Sequence, residues 1–93
     1  MRSIKQIQKE EGLAMDKVWY DRHQMCMQSI YPKEKNPEVR KNYEIAEKSA
    51  RKMEKEIGKK NLGHYTDMEW GMLNGRLETL RWVLGEDWGM LDT

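Results

Sequence analysis

The stretch WYDRHQMC, Trp19 to Cys26, holds one of the two histidines and the only cysteine of the chain. Its chemistry could be of three kinds. At i,i+3 spacing, His23 and Cys26 share a helical face and could share a metal. Asp21, the nearest carboxylate, points to another face at 100° per residue, and a tetrahedral site needs more ligands than this. The chain has no CxxC or HExxH, so no metal is expected. A Cys–His nucleophile pair needs an oxyanion hole and an orienting group, and nothing in the sequence marks either. No glycine-rich phosphate loop occurs, and the many carboxylates are not placed as a catalytic pair. Neither a cofactor nor enzymatic activity is expected. What remains is recognition. Trp19, Arg22 and His23 supply a stacking face and cationic donors, which suits a small anionic ligand. With Arg76, Arg81 and Trp82 from the far end of the chain, they could hold a nucleotide-like ligand between subunits.

Three helical patterns must position these groups. The first runs from about residue 13 to 30, with Met15, Val18, Trp19, Cys26 and Ile30 on one face. Arg22 falls in the middle of that face and His23 at its edge. A buried cation must be paired, so Arg22 is expected to reach the rim or meet a carboxylate from the acidic last third. The prolines of YPKEKNP close this pattern. The second covers 37–57, with Asn36 as N-cap and Pro37 at the first helical position. Val39, Tyr43, Ala46, Ala50, Met53 and Ile57 form a narrow seam, and Gly58 follows as a left-handed cap. Lys41, Lys48, Lys52, Lys55 and Lys59 lie within about 60° of one another opposite that seam. A phosphate-binding ridge would look like this, but flanking glutamates favour a solvated helix back.

The third pattern covers 66–84. Thr66 and Glu69 form a capping box, Tyr65 and Trp70 a hydrophobic staple, and Gly85 the stop. Trp70, Leu73, Leu77, Leu80 and Leu84 make one apolar seam. Met68, Met72, Gly75, Thr79 and Trp82 make another, about 150° around the axis. A monomer could just cover both flanks, one with each neighbouring helix. The middle helix offers only a thin stripe, however, so a second copy is the natural cover for the Met68–Trp82 flank. Gly71 and Gly75 each cost about 1 kcal/mol against alanine in a helix and would permit close approach of another backbone. The tail 86–93 is too short to stand alone, so Trp88 and Leu91 are expected to dock back.

Size and composition point the same way. A 93-residue chain forms one domain and buries only about 60–65% of its unfolded surface. One cysteine allows no internal disulfide, which fits a reducing, cytoplasmic setting. No apolar run reaches the roughly 18–20 residues of a membrane span, and the N-terminus lacks a signal peptide's apolar stretch. The missing reinforcement is most cheaply supplied by oligomerisation. Four tryptophans, four tyrosines and eight methionines with no phenylalanine suit an interface. The net charge of +1 carries no basic bias towards nucleic acid. It is uneven, with residues 32–62 at +4 and 63–93 at −4, as for segments lying side by side or subunits meeting head to tail. A second reading is a small DNA-binding regulator. Residues 3–22 resemble a helix-turn-helix with Ile4 and Ile7 before a turn at Gly12. Gln8 and Glu11 depart from that pattern, and Asp16 and Asp21 would face phosphates.

The stretch YTDMEWGMLNGRLETLRWVLGEDWGMLDT, Tyr65 to Thr93, resembles the ends of a group of small uncharacterised proteins of bacteria and their phages. These share an EWGM…NG.L..LRWVLG..W..LDT string. The resemblance implies no activity and assigns no site residue. It implies a phage or mobile-element setting, where small helical proteins inhibit or sequester host components. The expected fold is all-α: a long antiparallel hairpin of the second and third helices, with the first packed across it. The expected function is a non-enzymatic homo-oligomer, most simply a dimer, that binds a protein partner or a small anionic ligand.

Overall fold

The computed structural model describes residues 1–89. Among them every regular element is helical: α1 (Ile4–Ser29), α2 (Pro37–Ile57) and α3 (Asp67–Val83), with single 3-10 turns at Tyr31–Lys33 and Lys59–Asn61. None of these helices is long and apolar enough to cross a membrane. The chain divides into two compact units. One joins Met1–Val18 to the segment from Tyr65 onward, and the other is Trp19–His64.

Helix α1 begins nine residues before the expected start. Ser3 caps it: Gln6 N–H donates to Ser3 Oγ at 3.2 Å, and Ser3 N–H donates to Gln6 Oε1 at 2.9 Å. This is the reciprocal capping box of an S-x-x-Q sequence. Gly12 lies inside the helix, so the turn of a helix-turn-helix is absent. A turn or C-cap at that position would need positive φ, and Gly12 does not have it. A single glycine costs a helix only about 1 kcal/mol, and Glu10, Glu11, Leu13 and Ala14 around it are good helix formers. A Cβ added at Gly12 would meet nothing within 4 Å. Gly12→Ala is therefore expected to raise stability by about 0.5–1 kcal/mol in chemical denaturation; a loss of stability would contradict the unbroken helix.

In the first unit, Ala14 and Val18 of α1 pack with Leu73 and Leu77 of α3, and Tyr65 and Trp70 lie against them. The Thr66–Glu69 capping box is formed, with bonds of 2.9 and 3.1 Å. Tyr65 stacks on Trp70 at 6.3 Å between ring centroids, as a staple does. At the other end Gly85, with φ 106°, donates to Trp82 O, and Glu86 N–H donates to Arg81 O. These two bonds satisfy carbonyls that the helix leaves open, in a Schellman arrangement. The segment beyond returns along α3. Trp88 stacks on Trp82 at 5.2 Å, and Gly89 N–H donates to Glu78 Oε2 at 2.7 Å. Leu91, expected to dock beside Trp88, lies outside the described residues.

In the second unit, Tyr20, Ala50 and Leu62 form the buried centre, with Trp19, Met53 and Ile57 against it. Every residue of the α2 seam, Val39 to Ile57, is buried or half-buried. Asn36 accepts from Glu38 N–H at 2.9 Å and starts the helix; Gly58, with φ 93°, ends it. In the first turn of α2, Arg40 reaches back: its guanidinium lies 4.2 Å over the Tyr31 ring and donates to the carbonyls of Tyr31 and Glu34. That clamp fixes the proline turn to the helix it precedes. The five lysines from Lys41 to Lys59 are all exposed.

Neither core contains a pairing of α2 with α3. Each is built on a different stretch of α1, the long N-terminal helix. At about 39 Å for 26 residues, α1 is long enough to give each partner its own stretch. Its buried positions are Ala14 and Val18 in one unit, and Tyr20 and His23 in the other. No single stripe of 3–4 spacing contains all four.

Candidate functional site

The second unit contains a cleft of about 330 Å³ between the last turns of α1 and the first turns of α2. Trp19, Arg22, His23 and Cys26 line it from α1. Val39, Asn42, Tyr43 and Ala46 line it from α2. Three of the six expected ligand-binding residues therefore meet: Trp19, Arg22 and His23. Two of them exchange roles. The sequence places Arg22 inside and His23 at the edge, whereas His23 is 6% exposed and Arg22 lies on the open rim. Adjacent helical positions differ by 100°, so choosing a face one residue off swaps them. A buried imidazole is also far cheaper than a buried guanidinium, because it can be neutral.

His23 holds the floor of the cleft. Its ring stacks on that of Trp19, with centroids 4.9 Å apart and planes 6° from parallel. Its Nε2 lies 3.1 Å from Glu47 Oε1. An ionised carboxylate only accepts, so Nε2 carries the proton of that bond. Arg51 bridges onward, with Nη2 3.0 Å from Glu47 and Nη1 3.2 Å from Glu54. Tyr20 Oη donates to Glu54 Oε2 at 2.5 Å and accepts from Gln24 Nε2 at 2.6 Å. Among the described residues no buried side-chain nitrogen or oxygen lacks a partner. The network ties α1 to α2 by groups that are costly to leave unpaired.

Burial first, and then the hydrogen bond to Glu54, push the Tyr20 hydroxyl above the ordinary tyrosine value of 10.0. In alkali the unfolded chain loses this proton before the folded one does. Tyr20 thus contributes stability that is intact below pH 10.0 and is lost as pH rises through the raised value. Tyr20→Phe is expected to flatten the alkaline fall in unfolding free energy. Denaturation midpoints measured on both sides of that pH check it; parallel slopes for the two proteins would contradict it.

The other three expected ligand residues, Arg76, Arg81 and Trp82, do not line the cleft. Arg81 is engaged by carboxylates: Nε lies 3.3 Å from Glu11 and 3.8 Å from Glu86, and Nη1 3.9 Å from Glu78. That guanidinium is matched by its own chain. Trp82 is taken up by its stack on Trp88. Arg76 is exposed on α3. Sequence reasoning missed Val39, Asn42, Tyr43 and Ala46 as cleft residues. Val39, Tyr43 and Ala46 were legible as a seam, but nothing local shows that a seam opens into a cleft at one end. Among the described residues no group of three or more His, Cys, Asp or Glu is gathered that could hold a metal ion. Cys26 is a half-buried free thiol.

A second surface lies on α3. Leu73 and Leu77 are buried, whereas the opposite flank is open: Met68 is 77% exposed, Met72 62% and Trp82 51%. Gly75 and Thr79 between them are exposed too, and so is Trp88. Among the described residues, the flank for which a second copy is expected is thus open. A Cβ added at Gly71 or Gly75 would meet nothing within 4 Å.

Comparison with family models, with curated proteins and with solved structures finds no match to this chain.

Proposed function

We propose that the chain is a non-enzymatic binding protein that works as a homo-oligomer, most simply a dimer, joined through Met68, Met72, Gly75, Thr79 and Trp82. The observation that carries this reading is the open second flank of α3. Large apolar side chains aligned on one helix face suit an interaction surface better than the same residues scattered singly. Tryptophan and methionine are enriched at the centres of such surfaces, and methionine adapts to a partner's contour. The Thr79 hydroxyl already donates to Gly75 O at 2.8 Å, so that position brings no unmet polar group into a contact. Gly71 and Gly75 weaken the helix, and the described residues give no packing reason for them. A second backbone close to α3 would supply one. The buried ionisable groups of the other unit satisfy one another, which suits a structural role for them. In the phage or mobile-element setting implied by the C-terminal string, such a protein would act in the cytoplasm by sequestering or inhibiting a partner.

Methionine oxidation tests the surface. With dilute peroxide, Met68 and Met72 should oxidise slowly at high protein concentration and faster on dilution, as the assembly separates. Met25, 63% exposed on α1, is the internal reference and should keep one rate. Rates for Met68 and Met72 that are independent of concentration would count against the reading.

A further inference from the structure

We propose that the cleft between α1 and α2 binds a small aromatic carboxylate of one or two fused rings, held flat against Trp19 with its charge at Arg22. This does not rest on self-association, and either reading can fail alone.

Four observations carry it. The first is the cleft's walls. Trp19 and Tyr43 bring aromatic rings to the lining, and Val39 and Ala46 aliphatic contact. Such walls with few polar groups are the usual make-up of a small-molecule site. The second is charge. No Asp or Glu lines the cleft. Arg22 stands on its rim with no carboxylate partner among the described residues, whereas Arg51 and Arg81 are both paired. A guanidinium offers a planar fork that a carboxylate matches with two bonds. Asn42 and Tyr43, which carry an amide and a hydroxyl, line the same cleft. The third is preorganisation. The Trp19 ring is fixed by its parallel stack on His23, which is itself buried and bonded to Glu47. A ligand ring therefore meets a surface that is already ordered, and less entropy is lost on binding. The fourth is size. About 330 Å³ is at the lower end of the roughly 300–1,000 Å³ of ligand sites, which favours one or two rings over a whole nucleotide.

The test is a titration of the isotope-labelled full chain followed by nuclear magnetic resonance. The probes are indole-3-acetate, its neutral counterpart 3-methylindole, and adenosine monophosphate. The Trp19 indole N–H and the Asn42 side-chain amide should shift saturably with indole-3-acetate. The neutral compound should bind about tenfold more weakly, the size of one charge-assisted contact at an open rim. Arg22→Gln should close that gap; because Arg22 has no carboxylate partner among the described residues, the variant should stay folded, which an unchanged spectrum outside the cleft verifies. Equal affinity for the charged and neutral probes, or shifts confined to the Trp82 and Trp88 indoles, would overturn the proposal. So would the absence of any saturable shift at millimolar probe. Tighter binding of the nucleotide than of indole-3-acetate would overturn the assignment of ligand class.

Discussion

Leu77→Ala is expected to lower the unfolding free energy by about 2–5 kcal/mol, a large share of the roughly 5–15 kcal/mol that holds a domain together. Leu77 is 5% exposed and packs with Ala14, Val18 and Leu73. Two of those neighbours are small or β-branched, so little side chain is available to move into the space left behind, and the cavity stays open. The effect should also be local. The second core draws on Tyr20, Ala50 and Leu62 instead. Amide exchange should therefore accelerate first in α3 and the first half of α1, with α2 protected longer. Denaturation gives the magnitude and exchange gives the place; loss of protection spread evenly over α2 and α3 would contradict separate cores.

Trp82→Ala is expected to weaken self-association by at least about 2 kcal/mol, roughly thirtyfold in the dissociation constant. Trp82 stacks on Trp88 with planes 9° apart, which makes an ordered, half-exposed aromatic surface at one end of the flank. Tryptophans carry a disproportionate share of interface energy. The same substitution should cost the monomer little, because Trp82 belongs to neither buried core. Calorimetry of dilution for the two proteins checks the affinity. A thirtyfold loss with unchanged thermal unfolding at low concentration is the expected pair of results.

Helix α2 was legible in the sequence to the residue. It has one seam, with Asn36, Pro37 and Gly58 at its ends, so a single period describes it. The ends of α3 were legible for the same reason, since a capping box and a glycine stop are local signals. Helix α1 was not. It serves two cores with different faces, and a search for one stripe blurs them. Ser3 and Gln6 carried a readable capping box, but Gly12 suggested a break that its modest helix cost does not enforce. The exchange of Arg22 and His23 followed from that misplaced face. The polar network was hidden differently. Glu47 and Arg51 are spaced i,i+4 on α2, and nothing nearby in sequence shows His23 and Tyr20 meeting this pair. Arg81 read as a ligand cation because its partner Glu11 lies 70 positions away. Local patterns report capping and periodicity; they are blind to which distant charge a side chain will find.

The claim on which the functional reading depends is that the open flank of α3 is covered by another copy of this chain. Sedimentation equilibrium of the full chain across a wide range of concentration tests it most directly. The account predicts an average mass that climbs from the 11.2 kDa of one chain towards a multiple of it, with Trp82→Ala shifting the rise to higher concentration. A mass that stays at one chain throughout, for both proteins, would contradict it.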